Sequence, residues 1–207
     1  MTDQIISEFF PDSPSCTQLI ANISGCLVNS HSVFEVPMPR LPTYVNILGT
    51  TIEKELKSLP KDISDFIDEA EHGVVLLTMG MTYVPSDIPP HLERRLITAF
   101  SRLKQRVIMK LPHIPPDLPS NILVRKFLPQ QSIMAHPKTV LFFTHAGSNG
   151  VLEAIHYRVP MVGLPIYMNQ EDILNRLVEK GVAEGVRKKS TAEEIYKMLI
   201  KVIYNER

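Results

Sequence analysis

From Gly73 onward the chain alternates short, continuous apolar runs with longer stretches whose apolar residues recur every three or four positions. The runs VVLLTMG, RVIMKL, NILVRKF, TVLFFTH, PMVGLP and VAEGVR lack the in-out alternation of a half-exposed strand and predict strands buried on both faces. Between them, LERRLITAFSRLK sets Leu92, Leu96, Ile97 and Phe100 on one face of an amphipathic helix. SNGVLEAIHY, NQEDILNRLVEKG and TAEEIYKMLIKVIYNER read as further helices, the second ended by Gly181. LPQQSIMAHP reads as a short turn-rich piece. Upstream, Ile63, Phe66, Ile67 and Ala70 have helical spacing with Gly73 as the stop. Strands alternating with helices predict a doubly wound α/β domain with a parallel sheet over about 73 to 207.

The first part of the chain is less regular. GCLVNS, 25 to 30, predicts a buried strand, Pro37, Pro39 and Pro42 mark an extended connector, and YVNILG adds a second short apolar run. With 207 residues and 44% hydrophobic content the chain can build a real core. Lys and Arg number 22 against 22 Asp and Glu, without blocks of like charge, so nothing points to nucleic acid or an anionic membrane surface. Cys16 and Cys26 lack metal-site spacing and are expected as a buried pair of thiols. No metal site is expected. The N-terminus has no basic stretch followed by an apolar one, and no run approaches the ~20 residues of a membrane span.

Ligands of doubly wound sheets bind where strand ends feed helix N-termini. Three loops qualify by content: TMGMT at 78 to 82, THAGSNG at 144 to 150 and PIYMNQED at 165 to 172. In the second, Gly147, Ser148, Asn149 and Gly150 open a helix whose free N–H groups and dipole suit a phosphate, with His145 beside it as a donor and Glu153 within reach of a sugar hydroxyl. The alternative is a plain capped helix with Ser148 as N-cap. AGSNG is also similar to the nucleophile elbow of α/β-hydrolases, but that triad needs an acid and then a histidine downstream. The only histidine after Ser148 is His156, in the same helix, so the triad does not assemble.

The wider segment FLPQQSIMAHPKTVLFFTHAGSNGVLEAIHYRVPMVGLPIYMNQED closely resembles the donor-binding signature of the UDP-glycosyltransferases, the family that includes the UDP-glucuronosyltransferases. That signature runs W-x-P-Q, an apolar pair, H-P, F-x-T-H-x-G, S-N-G, E-A, G-V-P-M, P and D-Q. GVVLLTMGM resembles the family's strand and phosphate loop, and CLVNSHSVFEVPMPRLPTYVNILG the passage from acceptor domain to donor domain. The resemblance implies a Rossmann-like donor domain of a GT-B glycosyltransferase over 44 to 207, preceded by the end of an acceptor domain and a linker over 1 to 43.

The resemblance also implies roles. Phe127, in place of the family tryptophan, stacks on uracil, and Gln130 sits beside the uracil edge. His145 bonds a diphosphate oxygen, with the N–H groups of Gly147, Ser148 and Asn149, and Gly150 behind them, cradling it. Glu153 accepts from ribose hydroxyls. Asn169 and Gln170 stand where the family's D-Q pair holds the sugar, so the loss of the aspartate leaves the sugar open among glucose, glucuronic acid, galactose and others. Met81 replaces a phosphate-loop serine, leaving Thr78 or Thr82 near Gly80 as hydroxyl donors. No cofactor is implied beyond the UDP-sugar co-substrate. The implied reaction is inverting hexosyl or glucuronosyl transfer to a small lipophilic acceptor, with the histidine base in an acceptor domain these residues do not contain. The other histidines, His31, His72, His91, His113, His136 and His156, read as surface or loop residues, His136 as a structural turn. The chain as it stands is therefore expected to bind donor without turnover, either alone or in association with full-length family members. Family members usually sit at the endoplasmic reticulum membrane with a lumenal catalytic domain. These residues carry neither entry signal nor anchor, which leaves this chain's location open.

Overall fold

The structure, a computed structural model, describes residues 2–30, 34–80, 89–166 and 169–205. The chain divides into two compact units, Met1–Thr50 and Thr51–Arg207.

The first unit holds helices α1 (Thr2–Phe9) and α2 (Cys16–Ala21) and strands β1 (Cys26–Val28) and β2 (Tyr44–Asn46), which pair in parallel. Tyr44, where the sequence reading opens the donor domain, is the first residue of β2. Neither helix is evident in the hydrophobic pattern: α2 owes its start to a capping box, in which Ser15 and Gln18 bond each other's backbone. The GCLV run does form a strand, but not a buried one. Leu27 is 69% exposed, because among the described residues this three-residue ribbon has one partner strand and no helix packed over it. The expected buried thiol pair is corrected too: Cys26 is exposed and Cys16 half-buried.

The second unit opens with α3 (Lys61–Asp68) and continues as β3 (Val74–Thr78), α4 (Pro90–Phe100), β4 (Arg106–Lys110), β5 (Ile122–Arg125), α5 (Gln130–Met134) and β6 (Thr139–Thr144). It closes with α6 (Ser148–His156), β7 (Met161–Gly163), α7 (Gln170–Glu179), β8 (Ala183–Gly185) and α8 (Ala192–Ile203). All six strands are parallel, in the order β5-β4-β3-β6-β7-β8. The chain thus winds outward from β3 to one edge, then returns to β6 and winds to the other. This is the Rossmann-like order expected from the sequence, with its reversal between β3 and β6.

Both faces of the sheet are covered, as the continuous apolar runs require. On one face Val75, Leu77 and Phe143 pack against Leu92, Leu96, Ala99 and Phe100 of α4 and Ile195, Leu199 and Val202 of α8. Phe100 meets Phe143 edge to face, with ring centroids 5.2 Å apart. On the other face Val74, Leu76 and Phe142 meet Ile63 and Ile67 of α3, Ile133 of α5, Val151 and Ala154 of α6 and Leu174 of α7. Neighbouring strand residues therefore face opposite layers. The turn-rich piece is in fact the short helix α5, whose Gln131 and Ser132 are buried because they hold other chain segments: Gln131 bonds the backbone of Thr51 and Glu53, and Ser132 that of Lys57. His136 accepts from the backbone N–H of Lys138 at 3.2 Å, a local turn contact. Gly73 does not end α3, which stops at Asp68; at φ 87° it turns the chain into β3. Among the described residues no helix is long and apolar enough to cross a membrane.

Candidate functional site

The reversal of strand order leaves a crevice at the carboxyl ends of β3 and β6, and a cleft of about 530 Å³ lies there, a size suited to a small ligand. It gathers ten of the residues singled out in the sequence: Thr78, Gly80, Phe127, Gln130, His145, Gly147, Ser148, Asn149, Gly150 and Glu153. Asn169 and Gln170 are not on its wall. Asn169 is exposed as the N-cap of α7, and Gln170 is buried, its side-chain oxygen accepting from the N–H of Ile166 at 2.8 Å. Met81, Thr82 and His31 lie outside the described residues.

His145 follows the last residue of β6, and its ring is enclosed by two glycines. A Cβ added to Gly80 would lie 2.7 Å from its Cε1, and one added to Gly147 would collide with its Nε2. Gly80 has φ 80°, a conformation that glycine alone adopts freely, so it is fixed both by space and by backbone. Ala146, between the histidine and Gly147, is buried at φ 64°, a strained left-handed turn that swings the chain from strand into helix. Burial lowers the pKa of His145, so the imidazole is neutral at pH 7. Among the described residues its buried Nδ1 has no hydrogen-bond partner.

Helix α6 starts with no side-chain cap. Gly147 is the N-cap, in extended conformation, and Ser148 is already inside the helix. The plain capped-helix reading with Ser148 as N-cap therefore does not hold. The first-turn N–H groups are left for an outside acceptor, with the positive end of the helix dipole behind them.

The other end of the cleft is a polar relay. Thr78, on the central strand and buried, donates its hydroxyl to Gln130 Oε1 at 2.6 Å; Gln130 Nε2 donates to Glu153 Oε2 at 2.6 Å. Gln131 Nε2 reaches the second carboxylate oxygen of Glu153 at 3.3 Å. The Thr78 hydroxyl thus orients Gln130. Glu153 is 8% exposed, and desolvation pushes its pKa up, opposed by the bond from Gln130 and reinforced by the charge of Glu53. Phe127 stands at the rim, 70% exposed, with its ring available for stacking.

Sequence reasoning missed several of the wall's polar residues. Glu53 and Lys57 reach the cleft because Gln131 and Ser132 fasten their backbone, a long-range contact without a local signature. Lys110, the last residue of β4, reads in sequence as the polar end of a strand, yet it also lines the cleft. Among the described residues no group of three or more His, Cys, Asp or Glu side chains is placed to hold a metal ion.

Comparison with known proteins places the chain in a family. The sequence model of the family "UDP-glucoronosyl and UDP-glucosyl transferase" matches residues 1–207. UDP-glucosyltransferase 2 of Dactylopius coccus is 37% identical over 84% of this chain and 34% of its own length. UDP-glucuronosyltransferase 2B14 of Oryctolagus cuniculus is 32% identical over 99% of this chain and 38% of its own. The chain thus spans between 34% and 38% of these two relatives. Among solved structures, the glycotransferase of kitacinnamycin superposes with TM-score 0.71 at 17% identity, over 98% of this chain and 52% of that one. Os79 from O. sativa, solved in complex with UDP, superposes with TM-score 0.61 at 23% identity, over 72% of this chain and 36% of that one. Full-length agreement with the family model, sequence identity above 30% to its members and a shared fold give one conclusion: the chain belongs to the UDP-glycosyltransferase family.

Proposed function

We propose that this chain is the part of a UDP-glycosyltransferase that binds the UDP-sugar donor. The observation that carries the reading is the histidine at the switch point: its ring has glycines on both sides and an uncapped helix start next to it, a combination suited to a diphosphate. Uracil stacks on Phe127, the ribose hydroxyls meet Glu153, the diphosphate lies between His145 and the first turn of α6, and the sugar points toward Asn169 and Gln170. The sequences of relatives named as glucosyl- and glucuronosyltransferases support this donor class, as does a related fold solved with UDP. No cofactor is needed beyond the nucleotide sugar itself.

In transfer, the bond from the anomeric carbon to the β-phosphate oxygen breaks with its electron pair on the oxygen. The acceptor hydroxyl attacks from the opposite face, and its proton goes to a base. The donor half contributes by stabilising the departing UDP. The base and the pocket for a small lipophilic acceptor belong to the other half of such an enzyme. These 207 residues on their own therefore bind donor without turnover, and they take part in catalysis only together with an acceptor-binding half.

Calorimetric titration of UDP and of uridine tests the donor site. UDP is expected to bind more tightly than uridine, and His145→Ala to weaken UDP at least about tenfold while leaving uridine unchanged. Absence of UDP binding at millimolar concentration, or equal losses for both ligands, would sink the reading. An assay for sugar transfer to a simple phenol tests the second claim, where turnover by the isolated chain would contradict it.

A further inference from the structure

Two lysines line the cleft. Lys57 is a surface residue whose Nζ lies 3.9 Å from Glu53. Lys110 is placed differently. It ends β4, the strand next to β3, and its half-buried side chain donates from Nζ to the carbonyl oxygen of Gly80 at 3.1 Å. Among the described residues no carboxylate pairs with it. Gly80 is also the residue that lies against the His145 ring. Since β4 and β6 flank β3 on opposite sides, the ammonium and the imidazole reach the end of β3 from opposite sides.

An ammonium has three N–H donors, and the bond to Gly80 uses one. A half-buried cation without an anionic partner is a costly arrangement that a bound anion would relieve. The departing diphosphate gains negative charge as the bond to the sugar breaks. The start of α6 offers partial charges and a neutral imidazole a hydrogen bond, but neither supplies a full positive charge. We infer that Lys110 is the fixed cation of the diphosphate end of the cleft, holding the leaving group from the side of β3 opposite His145. The assignment rests on the donor reading above and adds a residue to it.

The test compares UDP, UDP-glucuronic acid and uridine on the full 207-residue chain and on Lys110→Gln and Lys110→Arg. Lys110→Gln is expected to weaken UDP about tenfold or more, to leave uridine within about twofold, and to flatten the dependence of UDP affinity on salt. Lys110→Arg should restore most of the loss. In the unmodified chain, the Nζ resonance of Lys110 should move on addition of UDP and stay still with uridine, a readout independent of whether a variant folds. Unchanged UDP affinity in Lys110→Gln, equal losses for UDP and uridine, or a loss for UDP-glucuronic acid alone would each overturn the assignment; the last would place the ammonium on the sugar. If the unmodified chain itself fails to prefer UDP over uridine, the donor reading falls as well. If it does prefer UDP, and His145→Ala but not Lys110→Gln removes that preference, only the lysine assignment falls.

Discussion

Replacing Gly147 by alanine moves His145 and little else. Gly147 has φ −72° and ψ 142°, a conformation open to any residue, so the substitution adds no backbone strain. Its Cβ, however, would lie 2.7 Å from His145 Cε1 and nearer still to Nε2. The ring must rotate away, at a cost of about 0.5–1.5 kcal/mol for an off-rotamer side chain. Part of that is offset by about 0.4–1 kcal/mol from the lower entropy of the unfolded chain. Folding stability should therefore change by less than about 1 kcal/mol, or ~2–4 °C in melting temperature. Ligand binding loses the bond from imidazole to a charged phosphate, about 1.5–3 kcal/mol, so UDP should weaken roughly 10- to 150-fold. Calorimetric titration of UDP and uridine, alongside a thermal melt, reads all three quantities. The same change at Gly80 meets the same ring but adds about 1–2 kcal/mol of left-handed strain at φ 80°, so Gly80→Ala should lose binding and measurable stability together. Unaltered UDP affinity in Gly147→Ala would refute the role given to the imidazole.

Three further outcomes are expected. Phe127→Ala should weaken UDP and uridine by the same factor, from about 1–3 kcal/mol of lost stacking, and Phe127→Trp should strengthen both; calorimetry decides, and an effect on UDP alone would be inconsistent with base stacking. Glu153 has a raised pKa in the folded chain, so the fold binds its proton more tightly than the unfolded chain does. Its stabilising share is whole below the ordinary carboxylate range and is lost as pH rises through the raised value. Urea unfolding across that range should show the decline in the native chain and a flatter profile in Glu153→Gln. Gly163→Ala drives a Cβ into the Leu174 side chain inside the core and should cost about 1–3 kcal/mol by overpacking, measured by chemical unfolding, with no selective effect on UDP over uridine.

The sheet was legible because burial on both faces leaves a continuous apolar run, and the six runs became six parallel strands. α5 was not, because its polar Gln131 and Ser132 are buried by bonds to residues far away in the chain, which no local pattern records. GCLV predicts a buried β1, but a local apolar run does not say whether a second layer exists to cover it, and Leu27 is exposed. In the cleft, His145, Gly147, Gly150 and Glu153 come together because one strand, turn and helix carries them. Lys110 escaped notice since its meaning arises only when β4 lies beside β3. The relay through Thr78 and Gln130 likewise exists only after β3, α5 and α6 have packed.

The enclosure of His145 also couples Gly80 and Gly147, which are remote in sequence. Gly147 is closed to a side chain by the ring alone, whereas Gly80 is held by the ring and by its own left-handed backbone. The three atoms nearest a methyl group at 147 all belong to the His145 ring, so the cost of Gly147→Ala should largely vanish in a His145→Ala background. Position 147 is thus contingent on position 145: alanine there costs binding while the histidine stands and little once the histidine, and with it the site, has gone, while Gly80 stays closed either way.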